Sequence, residues 1–102
     1  MPTVEEALTY LGIDYADDVV TANVTRALAS AMHTLYGSVG EDIEEFLPGD
    51  PRAKELVLLY LDDLYSNRGL SNKAIGSERR LIRDMEWQLR LELRQAKGAA
   101  EA

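Results

Sequence analysis

Side chains able to do chemistry are few in this sequence. It contains one histidine, His33, and no cysteine. Carboxylates occur in adjacent pairs, among them Asp17–Asp18, Glu44–Glu45 and Asp62–Asp63. Two carboxylates facing one space are the raw material of general acid–base catalysis. On a helix, however, sequence neighbours diverge by roughly 100°, so none of these pairs shares a site unaided. With no second ligand type near it, His33 reads as a structural or surface residue. The absence of cysteine removes disulfides and thiolate metal sites, and it fits a reducing compartment. There is no His-Glu-x-x-His, no glycine-rich phosphate loop after a strand and no calcium-loop spacing. An enzyme is not expected, nor a cofactor or a metal.

The other chemistry-bearing group is cationic. Arg79, Arg83, Arg90, Arg94 and Lys97 recur along the last quarter of the chain, and five such charges on a helix can neutralise phosphates. Asp84, Glu86 and Glu92 interleave with them, and the chain as a whole carries a net charge of -7. No convincing helix-turn-helix spacing accompanies the line, so sequence-specific DNA binding is not expected. The charge is also unevenly placed. Residues 1–50 hold ten acids and the single base Arg26, a balance of -9, whereas residues 51–102 hold eight acids and ten bases, a balance of +2. Packed subunits can use such a split to set register and suppress wrong pairings; alternatively, both faces are simply solvated.

These residues must be positioned by helices, because β-branched residues are sparse, alternation is absent and no Asn-Gly or Asp-Gly hairpin signal occurs. At 102 residues the chain has room for one domain with one modest core. The expected fold is a small all-α bundle of about four helices, residues 1–97, followed by a frayed tail, 98–102. The first helix runs from about Pro2 to Leu11, with Thr3 and Glu6 forming a capping box and Gly12 ending it. The second, capped by Asp14 or Asp17, reaches Tyr36 before Gly37, and its Val20, Val24, Ala27, Ala31 and Leu35 step at helical spacing. Gly37, Gly40, Pro48 and Gly49 break residues 38–50 into a loop with room for one short turn at Asp42–Phe46. Asp50 and Pro51 open the third helix, which runs to Gly69. Its stretch from Leu56 to Leu61 is apolar on every side, so it is central to the fold or covered by a neighbour. The same stretch is far too short to span a membrane. Residues 71–76 read as a polar linker, and Ser77 caps a fourth helix from Glu78 to about Lys97. The opening residues lack a basic region followed by an apolar one, so no secretory signal peptide is expected.

The expected core comprises Val24, Leu28 and Leu35 from the second helix and Leu56, Val57, Tyr60 and Leu64 from the third. The fourth contributes Leu81, Met85 and Leu89, in one stripe with Ile82 and Leu93. Trp87 and Leu91 fall almost opposite that stripe, with the basic line between. A chain of this size cannot easily bury both sides of its terminal helix, and Trp and Arg are over-represented among interface hot spots. Trp87 and Leu91, flanked by Arg79, Arg83, Arg90 and Arg94, are therefore a candidate interface. In the alternative, Trp87 folds back over the 38–50 loop.

Three segments, in order, resemble one family. Thr3-Val4-Glu5-Glu6-Ala7-Leu8-Thr9-Tyr10-Leu11-Gly12-Ile13-Asp14 resembles the opening of phage head–tail connector proteins, also described as DNA-packaging proteins. Asp50-Pro51-Arg52-Ala53-Lys54-Glu55-Leu56-Val57-Leu58-Leu59-Tyr60, followed by Asp63-Leu64-Tyr65-Ser66-Asn67-Arg68, is similar to that family's central helix. Met85-Glu86-Trp87-Gln88-Leu89-Arg90-Leu91-Glu92 is similar to its closing segment. Ser66 stands where the family commonly has Glu, and 69–76 lacks its usual hydrophobic residues. The resemblance implies a non-enzymatic helical subunit that assembles as a ring, commonly of twelve copies, under the portal protein of a tailed bacteriophage. Such rings extend the DNA channel, let duplex DNA pass without sequence-specific binding, and join the next head-completion or tail protein. An acidic channel wall suits that role because it repels phosphates. The resemblance further implies that the C-terminal segment engages the portal, that assembly takes place in the host cytoplasm and that the product resides in the virion. Tyr65 and Arg68 then stand either as a subunit contact or as a helix end, where Arg68 favours the dipole. The rival reading is a small acidic helical regulator, or a DNA mimic, that binds a host protein.

Overall fold

Thr3 starts the first helix as its sequence requires. Its hydroxyl accepts from the Glu6 backbone N–H at 3.1 Å, and the Glu6 carboxylate accepts from the Thr3 N–H at 3.1 Å, closing both arms of the capping box. In the computed structural model, which describes residues 1–67 and 72–101 but not the side chains of 66–67, 72–79 and 100–101, this helix is α1, Val4–Tyr10. It ends in a Schellman turn: Gly12 N–H donates to the Thr9 carbonyl at 3.1 Å and Ile13 N–H to the Leu8 carbonyl at 3.0 Å. Gly12 sits at φ 75, the left-handed conformation that only glycine adopts at little cost.

Helix α2, Asp18–Ser38, is capped by Asp17, whose Oδ1 accepts from the Val20 N–H at 2.8 Å. It buries Val24, Leu28, Ala31 and Leu35, spaced four, three and four. It also continues through Gly37, where the sequence suggested an end. One glycine inside a helix costs about 1 kcal/mol relative to alanine, and contacts near the helix end offset that. Tyr36 donates its hydroxyl proton to Glu44 at 2.9 Å, and the Ser38 carbonyl accepts from Arg90. A single turn, α3, Ile43–Phe46, lies in the expected loop and plugs the core with Ile43.

Helix α4, Pro51–Asp62, is the centre of the bundle. Asp50 caps it by accepting from the Arg52 N–H at 2.9 Å, with Pro51 in the first turn. It buries Ala53, Leu56, Val57, Leu58, Tyr60 and Leu61, which explains the stretch that is apolar on every side: α1, α2 and the last helix all pack against it. The α-helical register stops at Asp62, and Asp63–Asn67 form a π-helical turn; the expected helix end at Gly69 lies outside the described residues. The wider turn rotates less per residue. Leu64, expected in the core, consequently faces outward at 49% exposure, and Tyr65, expected at an interface, packs against the core.

Helix α5, Asn72–Glu101, starts earlier and ends later than the sequence suggested, taking in 72–76 of the expected linker, the expected cap Ser77 and 98–101 of the tail expected to fray; Ser71 and Ala102 lie outside the described residues. Lysine, alanine and glutamate are good helix formers, and single glycines tax a helix without stopping it. Its 30 residues span roughly 45 Å, close to the longest molecular dimension of 49 Å. Among the described residues the chain is entirely helix, turn and loop, with no strand: a small all-α bundle.

Candidate docking face on the last helix

Two buried leucines, Leu89 and Leu93, fix which side of α5 faces inward, and Ile82 and Met85 lie half-buried on the same stripe. Gly40 receives Leu93: a Cβ at position 40 would come within 2.6 Å of the leucine side chain. Polar contacts set the register. Arg52, near the start of α4, pairs with Glu92, and Tyr60, near its end, donates to Glu86, so α4 and α5 run antiparallel. Arg90 donates to the Ser38 carbonyl at 2.9 Å and Lys97 pairs with Asp42 at 2.7 Å, tying α5 to the end of α2 and to the start of α3.

Electrostatics follow from these contacts. Tyr60 is almost buried, and burial together with the adjacent Glu86 carboxylate pushes its phenol well above the ordinary tyrosine range. Lys97 holds the Asp42 carboxyl below its usual range, and Lys54 does the same for Glu6 across α1 and α4. Glu86 and Glu92, which interrupt the basic line in sequence, are thus turned toward the bundle by partners on α4.

What remains outside is apolar and cationic. Trp87 is 61% exposed and Leu91 39%, so Trp87 does not fold back over the 38–50 loop. Arg83 and Arg94 are exposed beside them, as is Arg80, which the sequence reading omitted. Arg90 is exposed but has a partner in Ser38. Arg68 lies outside the described residues, as does the side chain of Arg79. Leu81, assigned to the core stripe, is instead 52% exposed and joins the outer face. At roughly 100° per residue it lies at the edge of the stripe centred on Ile82, Met85, Leu89 and Leu93, about as near to Leu91 as to Leu89. The other core expectations, Val24, Leu28, Leu35, Leu56, Val57, Tyr60 and Leu89, are buried, and Met85 is partly so.

A second exposed group escaped the sequence reading. Tyr15 and Val19, at the junction of α1 and α2, are 85% and 68% exposed, and Asp14, Asp17 and Asp18, their neighbours in sequence, are all exposed. The available signal was a tyrosine and a valine that belong to neither helical stripe.

No family model, curated protein or solved structure matches this chain. Its function must be read from its own residues. Among the described residues no cluster of three or more His, Asp or Glu side chains is placed to hold a metal, and no helix is long and apolar enough to cross a membrane. His33 is exposed on α2. The adjacent carboxylates serve separate ends: Asp17 caps α2, and Glu44 accepts from Tyr36. A shallow cleft beside Val39 is lined by Arg90, Arg94 and Lys97, but two of its three cations are already engaged by Ser38 and Asp42. The outer face of α5 can therefore bury Trp87, Leu91 and Leu81 against another molecule, with arginines at its rim.

Proposed function

We propose that this chain is a head–tail connector subunit of a tailed bacteriophage, a structural protein that assembles as a ring under the portal. The observation that carries the reading is the outer face of α5, where Trp87 and Leu91 stand exposed opposite the stripe that buries Leu89 and Leu93, with Leu81 exposed at the border between the two. Exposed large apolar groups clustered on one face mark interaction sites. The three segments that resemble connector proteins lie on α1, on α4 with its π turn, and on this same part of α5, which supports the family reading. In that role the subunit extends the DNA channel and joins the head to the next head-completion or tail protein. Its place would be the head–tail junction of the virion, reached by assembly in the host cytoplasm.

The test is co-expression with a portal protein of a tailed bacteriophage, followed by electron microscopy of the purified complex. Wild-type chain should appear as a ring on the portal. The double variant Trp87→Ser, Leu91→Ser should fold with a near-normal melt, since exposed substitutions typically change stability by about 0.5 kcal/mol or less. The variant should nevertheless fail to assemble, because truncating a central aromatic at an interface often costs about 2 kcal/mol or more. A melt lowered by the roughly 3–5 kcal/mol expected of a core aromatic would mean that Trp87 is not a docking residue. A wild-type chain that ignores the portal and co-purifies as a monomer with a host protein would favour the acidic regulator.

A further inference from the structure

We infer that the outer face of α5 docks on the acidic tip at the α1–α2 junction of a second copy of this chain. Each surface carries an exposed aromatic and an exposed aliphatic residue: Trp87 and Leu91, one helical turn apart, on the face, and Tyr15 and Val19, four apart in sequence, at the tip. Their rims are opposite in charge. Arg80, Arg83 and Arg94 border the face, where Asp84 is the one exposed carboxylate among the described side chains of α5, while Asp14, Asp17 and Asp18 border the tip. The first base in sequence after the tip is Arg26, two turns along α2. Glu86 and Glu92, which would otherwise dilute the basic rim, are drawn away by Tyr60 and Arg52. Apolar centres with complementary charged borders are the pattern of specific protein recognition.

The two surfaces cannot satisfy each other within one molecule. Arg90, one turn from Trp87, holds the Ser38 carbonyl at the C-terminal end of α2, and the tip adjoins the N-terminal end at Asp18. The 21 residues of α2 place those ends roughly 30 Å apart. The contact is therefore between copies, and because two different patches meet, it is head-to-tail. Such a contact propagates from copy to copy, closing as a ring or running on as a filament according to the rotation at each step.

The inference rests on the ring-forming part of the connector reading, and a mixing experiment separates it from portal binding. The face variant Trp87→Ser, Leu91→Ser keeps its tip, and the tip variant Tyr15→Ser, Val19→Ser keeps its face. Each alone should sediment as a monomer. Their equimolar mixture should sediment as a 1:1 dimer of twice the monomer mass that grows no further, and added salt should dissociate it. If the tip variant dimerises alone, the face pairs with itself and the inference is wrong. A mixture that stays monomeric up to the solubility limit overturns it as well. Should a serine variant lose its helical circular dichroism, Asp14→Arg for the tip and Arg83→Asp with Arg94→Asp for the face replace it in the same scheme. Dimers formed by a chain that fails to bind portal would sustain this contact and defeat the connector reading; portal rings built by wild type beside monomeric mixtures would do the reverse.

Discussion

Tyr60 joins two kinds of stabilisation in one side chain. Its ring belongs to the core, and its hydroxyl donates to Glu86 at the rim of the bundle. Because its phenol titrates well above the ordinary tyrosine range, the folded state retains a proton that the unfolded chain loses above about pH 10. The associated stability is fully present below that pH and is lost as pH rises through the folded value. Tyr60→Phe should lower stability at neutral pH by about 1 kcal/mol, the net worth of an ordinary hydrogen bond. Between wild type and variant the gap should close in denaturant titrations carried above pH 10. Tyr36, raised less by partial burial and by Glu44, leaves some slope in both proteins. At this scale the sequence was legible wherever periodicity alone decides, as for Val24, Leu28, Leu35 and Leu89. It misled at Leu64 and Leu81, whose spacing is apolar and helical but whose direction depends on a π turn and on the rotation of α5. The candidate face was half legible: Trp87 and Leu91 follow from the helical wheel, whereas the turning inward of Glu86 and Glu92 depends on where α4 lies.

Three of the helix starts were readable, and the fourth was not: α5 begins at Asn72, six residues before the start that Ser77 was expected to cap. A cap is a local hydrogen bond between named residues, and Thr3, Asp17 and Asp50 each form one. Ends depend on whether tertiary contacts repay a glycine. Gly12 and Gly37 show the difference: both follow apolar stretches, yet only Gly12 adopts positive φ and stops its helix. Gly12→Ala should thus cost about 1 kcal/mol, since the turn demands a left-handed residue. Gly37→Ala, at a helical position with open space around it, should be neutral or slightly stabilising. Thermal melts of the two single variants check the pair, and a reversed order would mean that the Schellman turn is not what ends α1.

Across the whole molecule, burial is unequally shared. Helix α4 contributes six buried side chains, whereas the described part of α5 contributes only Leu89 and Leu93, supplemented by polar contacts at Arg52, Tyr60, Ser38 and Asp42. Cooperative units with little buried surface open at lower free energy than the global transition. In native-state hydrogen exchange, the amides of α5 around Leu89 should therefore exchange through an opening that leaves α2 and α4 closed. Equal protection of all three helices would show instead that the bundle opens as a single unit. A thinly docked helix also reports on whatever binds its far side, because an occupant that favours the closed arrangement lowers the population of the open one. Slowed exchange at Leu89 and Leu93 would then signal occupancy of Trp87 and Leu91, read through the thickness of one helix.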